Sequence, residues 1–149
     1  MTTFVLIAGA ALLVAGVEPL QVTSDSMTPT LRPGDRVVVE KLSLRWRSPK
    51  MGDLVVFRDP LHEQLAVKRV VALGGQTVAL EDAVLVVDGT ARREPGIDPK
   101  KIDSTYFGPV TVPANAVFVL GDNRFDSIDS RTYGSIPLGE LHGRVVLAF

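Results

Sequence analysis

The 149-residue chain contains no cysteine. Disulfide staples, thiolate zinc sites and a cysteine nucleophile are thereby excluded. An excess of charge is also missing: 16 Lys and Arg stand against 17 Asp and Glu. That balance argues against nucleic-acid binding by broad phosphate neutralisation. No charged side chain occurs before Glu18. After residue 20 there is no sustained 3.6-residue amphipathic pattern, so surface helices are not expected. What is present is 46% hydrophobic residues, 13 Gly and 10 Pro. This composition can build a core and favours turns and short strands. The length suits one domain.

Phe4–Val17 is almost wholly apolar. As a helix its 14 residues would reach about 21 Å, and the first 17 residues about 25 Å. A hydrocarbon core is about 30 Å thick, so the segment is short for a span. It can be read as a membrane anchor, a removable signal peptide or a buried core helix. A signal peptide has a positive n-region, and only the terminal amine supplies one here. We expect an anchor helix over residues 1–19 in a locally thinned bilayer, ended at Glu18-Pro19. No Lys or Arg precedes it, so charge bias does not set its orientation.

Residues 20–149 read as a single mostly-β domain. Expected strands are Leu20–Thr23, Arg36–Glu40, Leu54–Phe57, Leu65–Leu73, Thr77–Leu80, Ala83–Val87, Thr90–Arg93, Ala116–Leu120 and Gly143–Phe149. Asp88-Gly89 is a hairpin signal. Glu94–Gly108, with Pro95, Gly96, Pro99 and Gly108, is expected to be a loop.

Three stretches look unlike ordinary core or surface. In Ser24-Asp25-Ser26-Met27-Thr28-Pro29-Thr30-Leu31, a serine between a strand and a turn can expose its hydroxyl and its backbone N–H. That suits a nucleophile with its own oxyanion donor. The same stretch also suits a Ser-rich turn held by local side-chain bonds. In Leu65–Leu73, alternation places Ala66, Lys68, Val70 and Ala72 on one face. Either that face is solvated or the Lys68 ammonium is desolvated, in which case it can act as a neutral base. In Gly121–Arg131 the acids Asp122, Asp126 and Asp129 first suggest a metal site. Their spacing does not fit a Ca²⁺ loop: counting from Asp122, Arg124, Ser127 and Tyr133 stand where an oxygen ligand, a Gly and the closing Glu belong. A polar loop braced by Asp–Arg pairs fits better.

Together these stretches are far more specific. SDSMTPTL resembles the nucleophile box of type I signal peptidases. RPGDRVVV and PKMGDLVVF resemble the strand boxes that follow. VKRVVALGGQTV resembles the general-base box, and GDNRFDSIDSRTYG the C-terminal box. They occur in family order over most of residues 22–146. The chain thus resembles the bacterial Ser/Lys form of this family, whose mostly-β domain is related to that of LexA. The eukaryotic-type relatives carry His where Lys68 stands.

The resemblance implies a serine endopeptidase that removes signal peptides from exported precursors, without metal or other cofactor. It implies Ser26 as nucleophile and Lys68 as general base. Ser24 would be the second oxyanion donor, and Ser127 would hydrogen-bond near the Lys68 amine and orient it. Asp129 and Arg131 would pair and hold the C-terminal box. Met27 and Val67 would line shallow pockets for the small residues of an A-x-A cleavage site. The substrate would add as a strand beside Leu65–Val67. Its partners would be signal-peptide-bearing precursors and membrane lipid, with no nucleic acid. Its place would be the cell membrane, single-pass, with the catalytic domain extracytoplasmic. His62 and His142 match no catalytic position.

Two other readings share the Ser/Lys chemistry. A LexA-like self-cleaving regulator needs a helical DNA-binding region before the protease domain, and only the stretch up to Pro19 precedes it here. Its cleavage site would be Ala15-Gly16, inside the apolar run. A dedicated maturation peptidase for one precursor would carry the same boxes. In Lys41–Lys50, Leu42, Leu44 and Trp46 alternate with Lys41, Arg45 and Arg47. This is either a strand end or solvated hairpin, or a patch at the bilayer surface.

Overall fold

The computed structural model describes residues 16–97 and 105–149. Eleven strands are found among them: β1 (Val17–Gln21), β2 (Arg36–Glu40), β3 (Leu54–Arg58), β4 (Leu65–Leu73), β5 (Thr77–Glu81), β6 (Val84–Val87), β7 (Thr90–Ala91), β8 (Phe107–Thr111), β9 (Ala116–Leu120), β10 (Ile136–Pro137) and β11 (Leu141–Ala148). One short helix, α1 (Ser130–Tyr133), lies between β9 and β10. The strands form a seven-stranded sheet, β1-β2-β11-β3-β4-β9-β10, and a four-stranded sheet, β7-β6-β5-β8.

Strand β1 pairs with β2 from Val17↔Glu40 to Gln21↔Arg36. The sheet therefore takes up Val17, Glu18 and Pro19, which the sequence reading grouped with the apolar run. Pro19 is tolerated because β1 is an edge strand and needs no ladder donor on its open side. The expected anchor helix otherwise falls on residues 1–15, outside the described residues. Among the described residues no helix is long and apolar enough to cross a membrane.

Turn chemistry explains the second sheet. Val87 pairs with Thr90 across Asp88-Gly89, whose φ values are +50° and +76°. That is the backbone a two-residue hairpin of matching twist requires. The Asp88 carboxylate also accepts from Thr77 N at 2.8 Å. Glu81 pairs with Val84 across Asp82-Ala83, again with both φ values positive. Ala83 is thus a turn residue and not the first residue of a strand. Alanine gives no turn signal, which is why the strand start was expected one residue early.

Other elements differ from expectation, among them β10, which is not among the expected strands. Strand β8 lies partly in the expected loop, because Gly108 and Pro109 mask an edge strand. Helix α1 is a single turn, too short to show a period. Ser43–Arg45 is a short 3-10 helix, so the alternation in Lys41–Lys50 is not that of a strand.

The core is divided by the sheets. One cluster, including Val71, Ala72, Leu80 and Phe118, lies against the smaller sheet. A second joins Met27 and Leu31 to Val37, Val39 and Val56. A third, on the opposite face of the larger sheet, contains Val55, Phe57, Val70, Val117, Val119 and Ile136. Strand β4 runs through all three, and this position places Lys68.

Candidate active site

The Ser24–Leu31 stretch follows β1 directly. Val22 N donates to Asp35 O at 2.8 Å and Gly34 N to Val22 O at 2.9 Å, tying the end of the strand to the Arg32–Asp35 turn. Beyond it the chain folds into local turns, with Thr28 N donating to Asp25 O and Leu31 N to Met27 O. Met27 and Leu31 are buried and act as apolar plugs beneath the turn. The serine between them and the strand is held to the surface. The Ser24 and Ser26 hydroxyls lie 3.1 Å apart, brought together by the bend that follows β1.

Lys68 comes from β4, opposite Val55 of β3. Its Nζ donates to Ser26 Oγ at 2.7 Å. The side chain is 5% exposed, so this lysine is desolvated and the solvated alternative is set aside. Its neighbours on that face are Ala66 and Val70. Ala72 does not share the face: the ladder to β9 shifts register between Val70 and Ala72, and Ala72 packs in the first cluster. A bulge breaks strict alternation.

Burial holds the Lys68 amine below the ordinary lysine range, because a cation loses hydration there. Asp129 and Asp59 pull in the other direction, and Arg131 adds to the lowering. Asp59 is itself held by backbone N–H groups: Leu61 N donates to its Oδ1 at 2.7 Å and His62 N at 3.2 Å. His62 Nδ1 lies 3.2 Å from its Oδ2. Burial pushes the Asp59 carboxyl up, but these bonds outweigh it and leave the group below the usual carboxylate range.

The C-terminal box closes over this pair. Asp129 is fully buried. Gly121 N donates to its Oδ2 at 3.0 Å, and Arg131 grips it with Nε on Oδ1 and Nη2 on Oδ2, each at 2.9 Å. Asp129 also caps α1 by accepting from Arg131 N. Asp122 receives the Arg69 fork at 2.8 and 2.7 Å and the Thr30 hydroxyl. Asn123 N donates to Ser26 O at 3.0 Å. The box is therefore bonded to β4, to the nucleophile stretch and to itself. Among the described residues no group of three or more His, Asp and Glu could hold a metal ion.

Ser24, Ser26, Lys68, Met27, Val67 and Ser127 all line one cleft of about 460 Å³. Asp129 and Arg131 stand behind it. Ser127 differs from its implied role: its Oγ is buried and has no hydrogen-bond partner, so the contact with Lys68 is not made. It is packed instead against Gly121, where a Cβ would collide with Ser127 and with Ser26 O. Sequence patterning assigns no role to Asp59, Gly121 or Asn123, whereas Asp122 pairs with Arg69 in the manner of the expected Asp–Arg bracing. Gly121, Asp122 and Asn123 stand in the quoted box; Asp122 and Asn123 find their partners far away in the chain, and Gly121 within the box.

Comparison with known proteins points to one family. The chain matches the family described as signal peptidase, peptidase S26, over residues 1–149. It is 39% identical over 141 residues to a probable signal peptidase I-1 of Synechocystis sp., covering 89% of this chain and 70% of that protein. It is 35% identical over 144 residues to thylakoidal processing peptidase 1, chloroplastic, of Arabidopsis thaliana, covering 89% and 42%. A crystal structure of a signal peptidase I from Enterococcus faecalis superposes with a TM-score of 0.59 at 29% identity, covering 66% of this chain and 97% of that one. With a family match along its whole length and relatives this similar over most of it, the chain belongs to the signal peptidase family, peptidase S26.

Proposed function

We propose that Ser26 and Lys68 form the dyad with which this signal peptidase removes signal peptides from precursor proteins. The observation that carries the assignment is the 2.7 Å contact between a water-excluded lysine amine and a serine hydroxyl at the mouth of a cleft. In its neutral form Lys68 accepts the Ser26 proton, and Oγ attacks the scissile carbonyl. The Ser26 N–H and the Ser24 hydroxyl meet the oxygen as it gains charge. The Lys68 ammonium then gives its proton to the leaving amine. A water, deprotonated by the regenerated amine, hydrolyses the ester.

Met27 and Val67 shape apolar subsites suited to small side chains, and the substrate lies extended beside Leu65–Val67. Ser127 packs against Gly121 at the edge of the cleft, while Asp129 and Arg131 keep the C-terminal box in place. Residues before β1 anchor the protein in the cell membrane in a single pass, with the catalytic domain on the extracytoplasmic side. Trp46, 74% exposed, meets the headgroups together with Lys41, Arg45 and Arg47.

The test is incubation with a signal-peptide-bearing precursor and mass spectrometry of the new N-terminus, with Ser26→Ala as control. A cut after a small residue at the end of the signal peptide, lost in the control, is expected. Cleavage of the chain itself in place of the precursor would overturn the reading.

A further inference from the structure

Lys68 lies among groups that favour its charged form. Ser26 Oγ accepts from it. Asp59, from the β3–β4 connection, and Asp129, from the C-terminal box, both stabilise a cation there. Arg131 opposes them but is itself paired with Asp129, and His62 is paired with Asp59. A lysine beside two carboxylates stays protonated unless water is kept out. The exclusion of water from this compartment therefore has to be built by apolar side chains.

Those side chains form the third core cluster. Across the sheet from Lys68 and Ala66 stand Val55 and Phe57 of β3. Tyr133, the last residue of α1, packs against this cluster and sets its ring edge-on to Phe57, with centroids 6.1 Å apart and planes at 71°. Its hydroxyl points inward, is buried and has no hydrogen-bond partner. A buried tyrosine usually satisfies its O–H. Here the ring holds its place without that bond. Val55 and Phe57, the residues paired with Lys68 and Ala66, thus share one apolar cluster with the Tyr133 ring. Asp129 caps the helix that carries Tyr133.

We propose that Tyr133 is a positioning residue for Lys68: its ring, seated on Phe57, closes the apolar compartment that keeps the lysine amine dry and aimed at Ser26. The inference rests on the Ser26/Lys68 reading. It assigns work to the ring and none to the hydroxyl. Replacing the ring by a small side chain lets water reach the amine, and the rehydrated ammonium then holds its proton more firmly. Less of the enzyme carries the neutral base at a given pH.

The experiment measures kcat/KM against pH on a signal-peptide-bearing precursor for wild type, Tyr133→Phe, Tyr133→Leu and Tyr133→Ala. The full chain is titrated in parallel by NMR, with lysines ¹³C-dimethylated and Lys68 assigned by its loss in Lys68→Arg. Tyr133→Phe should keep the wild-type profile. Tyr133→Ala should move the acid limb, and the Lys68 resonance midpoint, up by about one pH unit. Tyr133→Leu, which retains apolar volume and should fold if the alanine variant does not, should move both in the same direction by less. An unmoved limb and midpoint in the leucine variant would overturn the proposal. So would a Tyr133→Phe profile shifted as far as that of alanine. Full activity in Lys68→Arg would instead overturn the dyad itself, which keeps the two failures apart.

Discussion

Lys68 Nζ lies 2.7 Å from Ser26 Oγ, although 42 residues separate them in the chain. The contact forms because β4 is an inner strand and the nucleophile stretch leaves an edge strand of the same sheet. The C-terminal box then bonds to both, through Asp122 to Arg69 and through Asn123 to Ser26 O.

Removing either member of the pair should remove the reaction. Ser26→Ala and Lys68→Ala are each expected to abolish precursor cleavage, and the double variant should be no worse than either, because the two act as a unit. Lys68→Arg should fail as well, since a guanidinium does not deprotonate in proteins. Single-turnover assays on one precursor check all four.

Ser24→Ala separates an oxyanion donor from a turn contact. Its hydroxyl lies 3.1 Å from that of Ser26. Loss of an oxyanion donor should lower kcat by roughly 10²–10³, with KM and melting temperature little changed. A variant within about threefold of wild type, far short of that loss, would take Ser24 off the catalytic list.

The lowered Lys68 proton affinity has a stability consequence with a definite sign. Below the folded-state pKa both folded and unfolded chains carry the proton, and the folded state bears the full cost of a buried cation. As pH rises from there towards the ordinary lysine value the folded state sheds the proton first, and that cost is relieved. Lys68→Met should therefore raise the melting temperature, by roughly 2–4 °C for each ~1 kcal/mol recovered, most at acidic pH and least near pH 10. Calorimetry across that range would expose the opposite trend, should it occur.

Gly121 has no room for a side chain. A Cβ built there would stand 2.6 Å from Ser26 O and would collide with Ser127. Gly121→Ala should displace the nucleophile stretch and lower kcat by at least tenfold, since small misplacements near reacting atoms are costly. A Ser127→Ala/Gly121→Ala double variant removes the Ser127 Oγ but leaves its Cβ at 2.5 Å and Ser26 O at 2.6 Å, so it should recover little of the rate.

The surface of Lys41–Lys50 is open to a direct test. Trp46 is the only tryptophan, so its fluorescence reads one site. A version lacking residues 1–15 should be quenched by anionic vesicles carrying brominated lipid, and less so as salt is added. Unchanged emission would end the lipid assignment.

Local patterning was enough for much of the sheet. Leu54–Phe57, Leu65–Leu73 and Ala116–Leu120 read as strands because branched and aromatic residues cluster between turn residues, and Asp88-Gly89 specified its own hairpin. The box motifs were legible because the reaction needs particular groups: a hydroxyl at Ser26 and an amine at Lys68. Sequence alone could not decide between a solvated and a desolvated lysine. Alternation gives a face of β4 but not what covers it. Only the packing of β3 and β9 against that strand buries Lys68, and only the register shift after Val70 turns Ala72 away from it. Burial and long-range pairing depend on residues far apart in the chain, so they arise when the sheet closes and have no local signature.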